Sequence, residues 1–307
     1  AYTEPDDVTK ALDEVESRVF AVAEQRVVDS TKPLRELLEE ASDELEKRFE
    51  SKVQLTGVPT GFADLDAKIL GLQKSSLVIV GARPAMGKTA FALNVATNVA
   101  QKSGLPVLIF SLEMSHSELT MRILSSEAGV ESSKLRTGNL SVSEWTLINN
   151  AIGRLDQQLI FLDDNPRVTV MEIRAKARRL KQRHDLKLIV IDYLQLMTSG
   201  KRVENRQQEV SEFSRQLKLL AKELNVPVVA ISQLNRSPEQ RTDKKPMLSD
   251  LRESGSIEQD ADVVSFLYRP IYYGITQDEQ GNSMENVMEV IFAKNRQGST
   301  DNICLKF

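Results

Sequence analysis

The sequence predicts an α/β fold in which a mainly parallel sheet is covered by helices on both faces. A buried apolar run, Leu77 to Val80, is followed by a turn rich in Gly, Pro and Ala and then by Gly87-Lys88-Thr89, which opens a helical pattern. This is the order of a phosphate-binding loop. Beyond it, short apolar runs alternate with helical patterns, an alternation that is typical of parallel sheets.

The composition is that of a globular protein from a reducing compartment. The chain has 307 residues, of which 41% are hydrophobic and 27% charged, and this length suits about two domains. Its single cysteine, Cys304, excludes an intramolecular disulfide. No secretory signal and no membrane-length apolar run is present, so we expect a cytoplasmic protein with no membrane partner. Because there is no initiator Met and the last residues form an incomplete strand pattern, we also expect a fragment.

The first fifty residues differ from the rest in charge and pattern. Residues 1–50 carry a net charge of −8 and the remainder carries +4, which permits phosphate-backbone binding by the larger part. Apolar residues repeat at helical spacing over 7–28. This stripe would be covered either by its own main domain or by a neighbouring subunit. A second helix carries apolar residues from Leu34 to Phe49, and residues 51–61 form a linker.

The rest of the chain divides into strands and helices in a regular order. The predicted strands are Leu77–Val80, Val107–Phe110, Leu159–Leu162, Leu188–Ile191, Val228–Ile231, Val263–Leu267, Val287–Ala293 and Asn302–Phe307. The predicted helices are 90–102, 115–128, 143–155, 169–184 and 206–224. The last two strands have no helix between them, so we expect them to form a hairpin at one edge of the sheet.

The turn after the first strand supplies the predicted phosphate site. It consists of Arg83, Pro84, Ala85, Met86, Gly87, Lys88 and Thr89. Backbone N–H groups of such a turn wrap a phosphate at a helix N-terminus. Lys88 can reach β- and γ-phosphate oxygens, and the Thr89 hydroxyl can ligate Mg²⁺. The motif departs from the usual pattern at its first position, which holds Ala82 instead of Gly.

Three polar residues follow apolar strands, where ligands of open α/β sheets bind. Asp192 can hold Mg²⁺ through water, or it can cap a turn. Glu113 can polarise the water that attacks a γ-phosphate. A capping role for Glu113 is less attractive because Ser115 and Glu118 already form a capping box. Gln233 can sense the γ-phosphate, or it can be an ordinary turn residue.

Cationic residues mark three further candidate regions. Lys294 and Arg296 follow the strand that ends at Ala293, where they could stabilise transition-state charge in their own subunit or in a neighbour. A basic loop, residues 200–206, includes Arg202 and Arg206.

A second basic stretch runs from residue 235 to 256. It contains Arg236, Arg241, Lys244, Lys245, Arg252 and Gly255. The loop 200–206 and this stretch both lack aromatic residues for stacking, so contact with a nucleic-acid backbone is favoured over base reading.

Six motifs occur in the order of one known family. They are Ala82-Arg83-Pro84-Ala85-Met86-Gly87-Lys88-Thr89, Phe110-Ser111-Leu112-Glu113-Met114, Ile191-Asp192-Tyr193-Leu194-Gln195-Leu196, Ser232-Gln233-Leu234-Asn235-Arg236, Asp250-Leu251-Arg252-Glu253-Ser254-Gly255-Ser256-Ile257-Glu258-Gln259-Asp260-Ala261-Asp262 and Ala293-Lys294-Asn295-Arg296. Together they resemble the bacterial replicative DNA helicase, the DnaB family, over residues 8–307. The phosphate loop of that family begins with Ala, which accounts for the departure noted above.

The resemblance implies a helical linker region over 1–50 and a RecA-like P-loop ATPase domain over 51–307. It implies a hexameric ring that hydrolyses ATP with Mg²⁺, moves 5′ to 3′ on single-stranded DNA and unwinds duplex DNA at the replication fork. It also implies a helicase loader and other replisome proteins as partners. Primase would bind through an N-terminal domain that we expect to be absent from this fragment.

The resemblance also assigns roles at the nucleotide. Lys88 and Thr89 would bind phosphate and Mg²⁺, and Asp192 would hold the metal. Glu113 would activate water, and Gln233 would sense the γ-phosphate.

Other roles would lie at the neighbour and at DNA. Lys294 and Arg296 would reach the nucleotide of the neighbouring subunit. Arg252, Glu253 and Gly255 would line the DNA loop, and residues 7–28 would dock on the adjacent subunit.

Two other functions fit the same phosphate site. One is a RecA-type recombinase, which a strand-exchange assay would separate from a helicase active in strand displacement. The other is a nucleotide-dependent assembly switch with no role on DNA, against which hydrolysis stimulated by single-stranded DNA would count.

Overall fold

The computed structural model of the chain describes residues 33–51, 55–199, 206–251, 255–278 and 280–307. Contacts divide the chain into two units, Ala1–Val53 and Gln54–Phe307. In the first unit the structure describes one helix, α1 (Leu34–Ser51), which confirms the second predicted helix. The predicted helix over 7–28 lies outside the described residues. Several apolar side chains of α1, including Leu38 and Phe49, are exposed.

The second unit contains every strand and helix that the sequence predicts, with ends within two residues of the expected ones. Its strands are β1 (Leu77–Ala82), β2 (Val107–Ser111), β3 (Ile160–Asp163), β4 (Leu188–Asp192), β5 (Val228–Gln233), β6 (Val263–Tyr268), β7 (Val287–Asn295) and β8 (Ile303–Lys306). Its helices are α2 (Ala63–Ile69), α3 (Lys88–Ser103), α4 (His116–Ala128), α5 (Ser132–Thr137), α6 (Val142–Leu155), α7 (Val170–His184), α8 (Arg206–Leu224) and α9 (Gly255–Asp260). The short helices α2, α5 and α9 were not predicted, because six or seven residues give too little periodicity.

The strands form one sheet in the order β3-β2-β4-β5-β1-β6-β7-β8. Strands β1 to β6 are parallel. Strands β7 and β8 are antiparallel and lie at one edge, as the sequence predicts for the last two strands. The α/β fold with a mainly parallel sheet is therefore confirmed.

Both faces of the sheet are buried. Along β1, Leu77 and Ile79 pack in one core cluster with residues of α8, and Val78 and Val80 pack in a second cluster with residues of α3. Burying each such side chain contributes about 1.5–3 kcal/mol. None of the described helices combines the length and the apolar character needed to cross a membrane.

The direction of each strand decides which residues meet. Ala82 is in register with Gln233, and Ser111 with Asp192. The carboxyl ends of β1, β2, β4 and β5 therefore lie along one edge of the sheet, which we call the carboxyl edge. Strand β7 runs the opposite way, so Asn295 near its end pairs with Val263 at the start of β6. The end of β7 thus lies at the opposite, amino edge.

Candidate nucleotide-binding site

The turn between β1 and α3 has the backbone of a phosphate-binding loop. The Met86 N–H donates to the Arg83 carbonyl at 3.3 Å, and Ala85 and Gly87 both have positive φ angles, 64° and 86°. Glycine is required at position 87 on two counts, because its φ is left-handed and because a Cβ there would overlap the Phe307 ring. The turn brings the first N–H groups of α3 to the carboxyl edge, where they suit an anion.

Lys88 lies between two carboxylates and an aromatic ring. Its Nζ is 3.1 Å from Glu113 Oε2 and 3.9 Å from Asp192 Oδ1. The same atom lies 3.7 Å from the centroid of the Tyr193 ring. One cation thereby joins the loop after β1 to the ends of β2 and β4, and it is already positioned beside the loop that would hold a phosphate.

Asp192 is a buried carboxylate in which only one of the two oxygens accepts a hydrogen bond from the described residues. Its Oδ2 accepts a hydrogen bond from the Thr89 hydroxyl at 2.5 Å. Its Oδ1 is buried and has no hydrogen-bond partner among the described residues. Burial raises the pKa of Asp192, and the Thr89 hydrogen bond and the Lys88 charge act against that shift. A hydroxyl beside a carboxylate is the oxygen donor set that Mg²⁺ prefers, so these two residues fit a divalent cation.

Glu113 lies in a more open position. Its side chain is 51% exposed, and Lys88 is its ion-pair partner in the described structure. The capping box at the start of α4 is made by Ser115 and Glu118, as predicted, so Glu113 has no capping role. A carboxylate that faces water beside a lysine can accept a proton from a water molecule.

Gln233 ends β5 and is tied to the segment after Asp192 by a second glutamine. The Gln233 N–H donates to Gln195 Oε1 at 3.1 Å. The Gln195 amide donates to the Ser232 hydroxyl at 2.9 Å. Sequence reasoning did not single out Gln195, although it lies in the same motif as Asp192. Through it, the ends of β4 and β5 are held together side by side.

The remaining residues of the phosphate loop differ in their exposure to solvent. Pro84 and Ala85 are exposed at the tip of the loop, and Met86 is buried. The Arg83 guanidinium pairs with Glu239 and donates to the Leu234 carbonyl at 3.1 Å, so it contacts the segment that follows β5.

Lys294 and Arg296 are not brought to this site in their own subunit. Lys294 pairs in register with Val264, and the Arg296 N–H donates to the Asp262 carbonyl just before β6. Burial lowers the pKa of Lys294, and the nearby charge of Arg296 adds to that effect. Both cations therefore lie at the amino edge, across the sheet from Lys88.

The predicted DNA-contacting residues are only partly described. Arg202, Arg252 and Glu253 lie outside the described residues. The Arg206 guanidinium pairs with Glu209 and donates to the Gln195 and Met197 carbonyls at 2.8 Å, so it holds the chain after β4. Gly255 begins α9 and has open space around its Cβ position.

Cations of the stretch 235–256 are largely engaged within the subunit. Arg241 pairs with Asp250, which is 1% exposed. Lys245 pairs with Glu289 at 2.9 Å, and Lys244 donates to the Glu239 carbonyl. Arg241 thus braces the loop internally, and Lys245 fixes it to β7.

Besides Gln195, three residues near the site were not predicted from the sequence. The charge of Arg122 on α4 reaches Asp192 and favours its ionised form. The Arg269 guanidinium lies 3.8 Å from the centroid of the Phe307 ring, and that ring lies against Gly87. No sequence motif marks Arg269 and Phe307, since their proximity depends on β6 and β8 flanking β7.

Comparison with known proteins decides the family. The sequence model of the DnaB-like helicase C terminal domain matches residues 57–307. The chain belongs to the family of DnaB-like helicase C-terminal domains. The replicative DNA helicase DnaB of Geobacillus stearothermophilus is 49% identical over 307 residues, which are the whole of this chain and 66% of that protein. This DnaB-like chain thus spans slightly less than two thirds of that relative.

Solved structures agree with this assignment. One solved ATPase domain superposes with a TM-score of 0.83 at 37% identity, covering 91% of this chain and 96% of that one. A structure described as a DnaB-like replicative helicase and its interactions with primase gives a TM-score of 0.80 at 36% identity, covering 96% of this chain and 69% of that one. The predicted family and the RecA-like fold are both confirmed for this DnaB-like chain.

Lys88 and Glu113 should be separable by mutation. We expect Lys88→Ala to abolish ATP hydrolysis because the charge beside the phosphates is lost. Glu113→Gln should bind ATP normally and hydrolyse it about 10²–10⁴ times more slowly, because water activation alone is removed. Nucleotide titration and phosphate release measure the two steps. Glu127→Gln, which alters a carboxylate paired with Arg154 on α6, is the control, and a normal rate in Glu113→Gln would place the base elsewhere.

Arg241 and Arg252 should behave differently although they share one stretch. Arg241→Ala leaves the buried Asp250 carboxylate without its cation, so the free energy of unfolding should fall by about 3 kcal/mol. The salt dependence of single-stranded DNA binding should stay unchanged. Arg252→Ala should leave the melting temperature unchanged and reduce the log–log salt slope by about 0.7 per lost contact. A reduced slope in Arg241→Ala would show that this residue binds DNA.

Proposed function

We propose that this chain is the ATP-hydrolysing motor portion of a replicative DNA helicase, which moves 5′ to 3′ on single-stranded DNA and unwinds the duplex at the fork. The observation that carries this proposal is the convergence of Lys88, Thr89, Glu113 and Asp192 at the carboxyl edge. The family assignment supports it, since the similar full-length relative is named a replicative DNA helicase.

ATP and Mg²⁺ are the proposed ligands. The phosphates would lie against the loop 83–89, with Lys88 Nζ on the β- and γ-phosphate oxygens. Thr89 and Asp192 would hold Mg²⁺, and the buried Oδ1 of Asp192, which accepts no hydrogen bond from the described residues, would be a ligand atom. When bound, the ion supplies positive charge that offsets the charge of the phosphate oxygens.

Hydrolysis would use residues on three strand ends. Glu113 would take the proton of the attacking water, and its exposed carboxylate is 3.1 Å from the lysine that would hold the phosphate. Gln233, next to Ala82 in the sheet, would detect loss of the γ-phosphate. Its hydrogen bond to Gln195 offers a route from the nucleotide to the segments after β4 and β5.

The neighbouring subunit would complete the site, as expected for a ring of six. Arg296 lies level with Leu77, the first residue of β1, because Asp262 bonds to both backbones. The six residues of β1 span about 16 Å, and the phosphate loop lies beyond them. Arg296 and Lys294 would therefore serve a neighbour's nucleotide. From the residues alone, Lys294 and Arg296 could act on the nucleotide of their own subunit or on that of a neighbour. The distance to their own phosphate loop favours the neighbour.

DNA and replisome proteins are the proposed partners. Arg252, Glu253, Gly255 and Arg202 are proposed to meet the DNA backbone. Arg206 would act indirectly by holding the chain that leads to the loop 200–205. Loader and other replisome proteins are proposed partners in the cytoplasm, and primase is proposed to bind through an N-terminal domain.

A forked duplex tests this function. Single-stranded DNA should raise the ATP hydrolysis rate, and a fork with a 5′ tail should be unwound while a fork with a 3′ tail is not. Lys88→Ala is the inactive control. Strand exchange without unwinding would favour a recombinase. Hydrolysis that ignores DNA, together with nucleotide-dependent assembly, would favour a switch.

A further inference from the structure

Arg296 is held by its own subunit in a defined orientation. Its Nη2 donates to the Gln259 carbonyl at 2.6 Å, and its Nη1 lies 3.3 Å from Asp262 Oδ1. Its backbone N–H donates to the Asp262 carbonyl at 2.9 Å. The contacts to Gln259 and Asp262 Oδ1 use two of the five N–H donors of the guanidinium. Because 47% of the side chain is exposed, the other donors are available to a neighbouring molecule.

Asp262 is anchored independently of Arg296. Its Oδ2 accepts from the Leu77 N–H at 2.8 Å and from Lys218 Nζ at 2.5 Å, and its side chain is 13% exposed. Leu77 begins the strand that leads to the phosphate loop, and Lys218 lies on α8. One carboxylate oxygen is therefore fixed to the sheet and to a helix, which leaves the other to orient Arg296.

Lys294 is held by α9, the short helix that also contains Gln259, the acceptor for Arg296. Its Nζ donates to the Glu258 carbonyl at the end of α9. The last carbonyls of a helix have no partner within the helix, so they are natural acceptors for Lys294 and Arg296. Two like charges side by side repel each other, and these carbonyls together with Asp262 offset that repulsion.

We propose that Asp262 is a positioning residue that orients Arg296 toward the nucleotide of the neighbouring subunit. This rests on the proposed action of Arg296 across a subunit interface. Asp262 itself lies at the amino edge beside Leu77 at the start of β1, whereas Lys88 follows the other end of that strand. Its contribution to hydrolysis is made through the guanidinium that it holds.

The test uses Asp262→Asn, Arg296→Ala and the double variant in the full chain. Asp262→Asn should lower kcat for DNA-stimulated hydrolysis by about 10- to 100-fold, as expected for a misplaced charge, with KM nearly unchanged. The double variant should be no slower than Arg296→Ala. If the two defects multiply, Asp262 acts independently of Arg296 and the proposal is wrong. If Arg296→Ala itself hydrolyses normally, the proposed function of Arg296 fails instead.

Mixed oligomers locate the effect. Subunits carrying Asp262→Asn, mixed with Lys88→Ala subunits, should regain activity because the latter supply an intact Asp262 and Arg296 to a neighbour with an intact Lys88. Absence of recovery in oligomers shown by mass to be mixed would overturn the proposal.

Two further variants separate positioning from folding. Arg174→Met removes a cation that pairs with Glu223 on α8 and leaves the contacts of Asp262 in place, so it should lower the melting temperature while leaving hydrolysis within about twofold of normal. Asp262→Glu keeps the charge and shifts the carboxylate outward by one methylene. It should fold and still lose kcat. Normal hydrolysis in folded Asp262→Glu, or a loss in Arg174→Met as large as that in Asp262→Asn, would refute the positioning role.

Discussion

The direction of each strand in the sheet determines where every candidate side chain can act. Strands β1, β2, β4 and β5 are parallel, so Lys88, Glu113, Asp192 and Gln233 follow strand ends at a single edge. Strand β7 is antiparallel to β6, so its last residues emerge at the other edge. One reversal of direction therefore divides the chemistry between two sides of the molecule, and a second subunit is the natural way to bring the sides together.

The carboxyl edge is organised around a buried charge. Removing Asp192 from water disfavours its ionised form and raises its pKa, and the Thr89 hydrogen bond and the Lys88 charge recover part of that cost. The remaining oxygen accepts no hydrogen bond from the described residues, and its nearest cation, Lys88 Nζ, is 3.9 Å away. A buried oxygen without a hydrogen bond is costly to a fold, and binding a cation there would give that cost a functional reason. At the amino edge a single carboxylate likewise has two roles, since Asp262 contacts both the sheet and Arg296.

Sequence reasoning predicted this fold well because buried parallel strands are continuous apolar runs. It predicted that Glu113, Asp192 and Gln233 lie at one edge of the sheet, because each follows or ends such a run, and the structure places them there. It failed where proximity depends on side chains from distant segments. It gave Arg241 the same candidate role as Arg252, although Arg241 pairs with a buried carboxylate, and it did not connect Asp262 with Arg296. Arg269 and Phe307 were missed because no local pattern records that they meet beside Gly87.

We propose that each nucleotide site is completed by a neighbouring subunit. The most direct measurement is the rate of ATP hydrolysis per subunit over a wide range of protein concentration, with the solution mass measured in the same samples. A shared site predicts that specific activity falls together with the oligomer on dilution and approaches zero in the monomer. A specific activity that stays constant while the mass falls to that of one chain would show that a single subunit hydrolyses ATP without its neighbour.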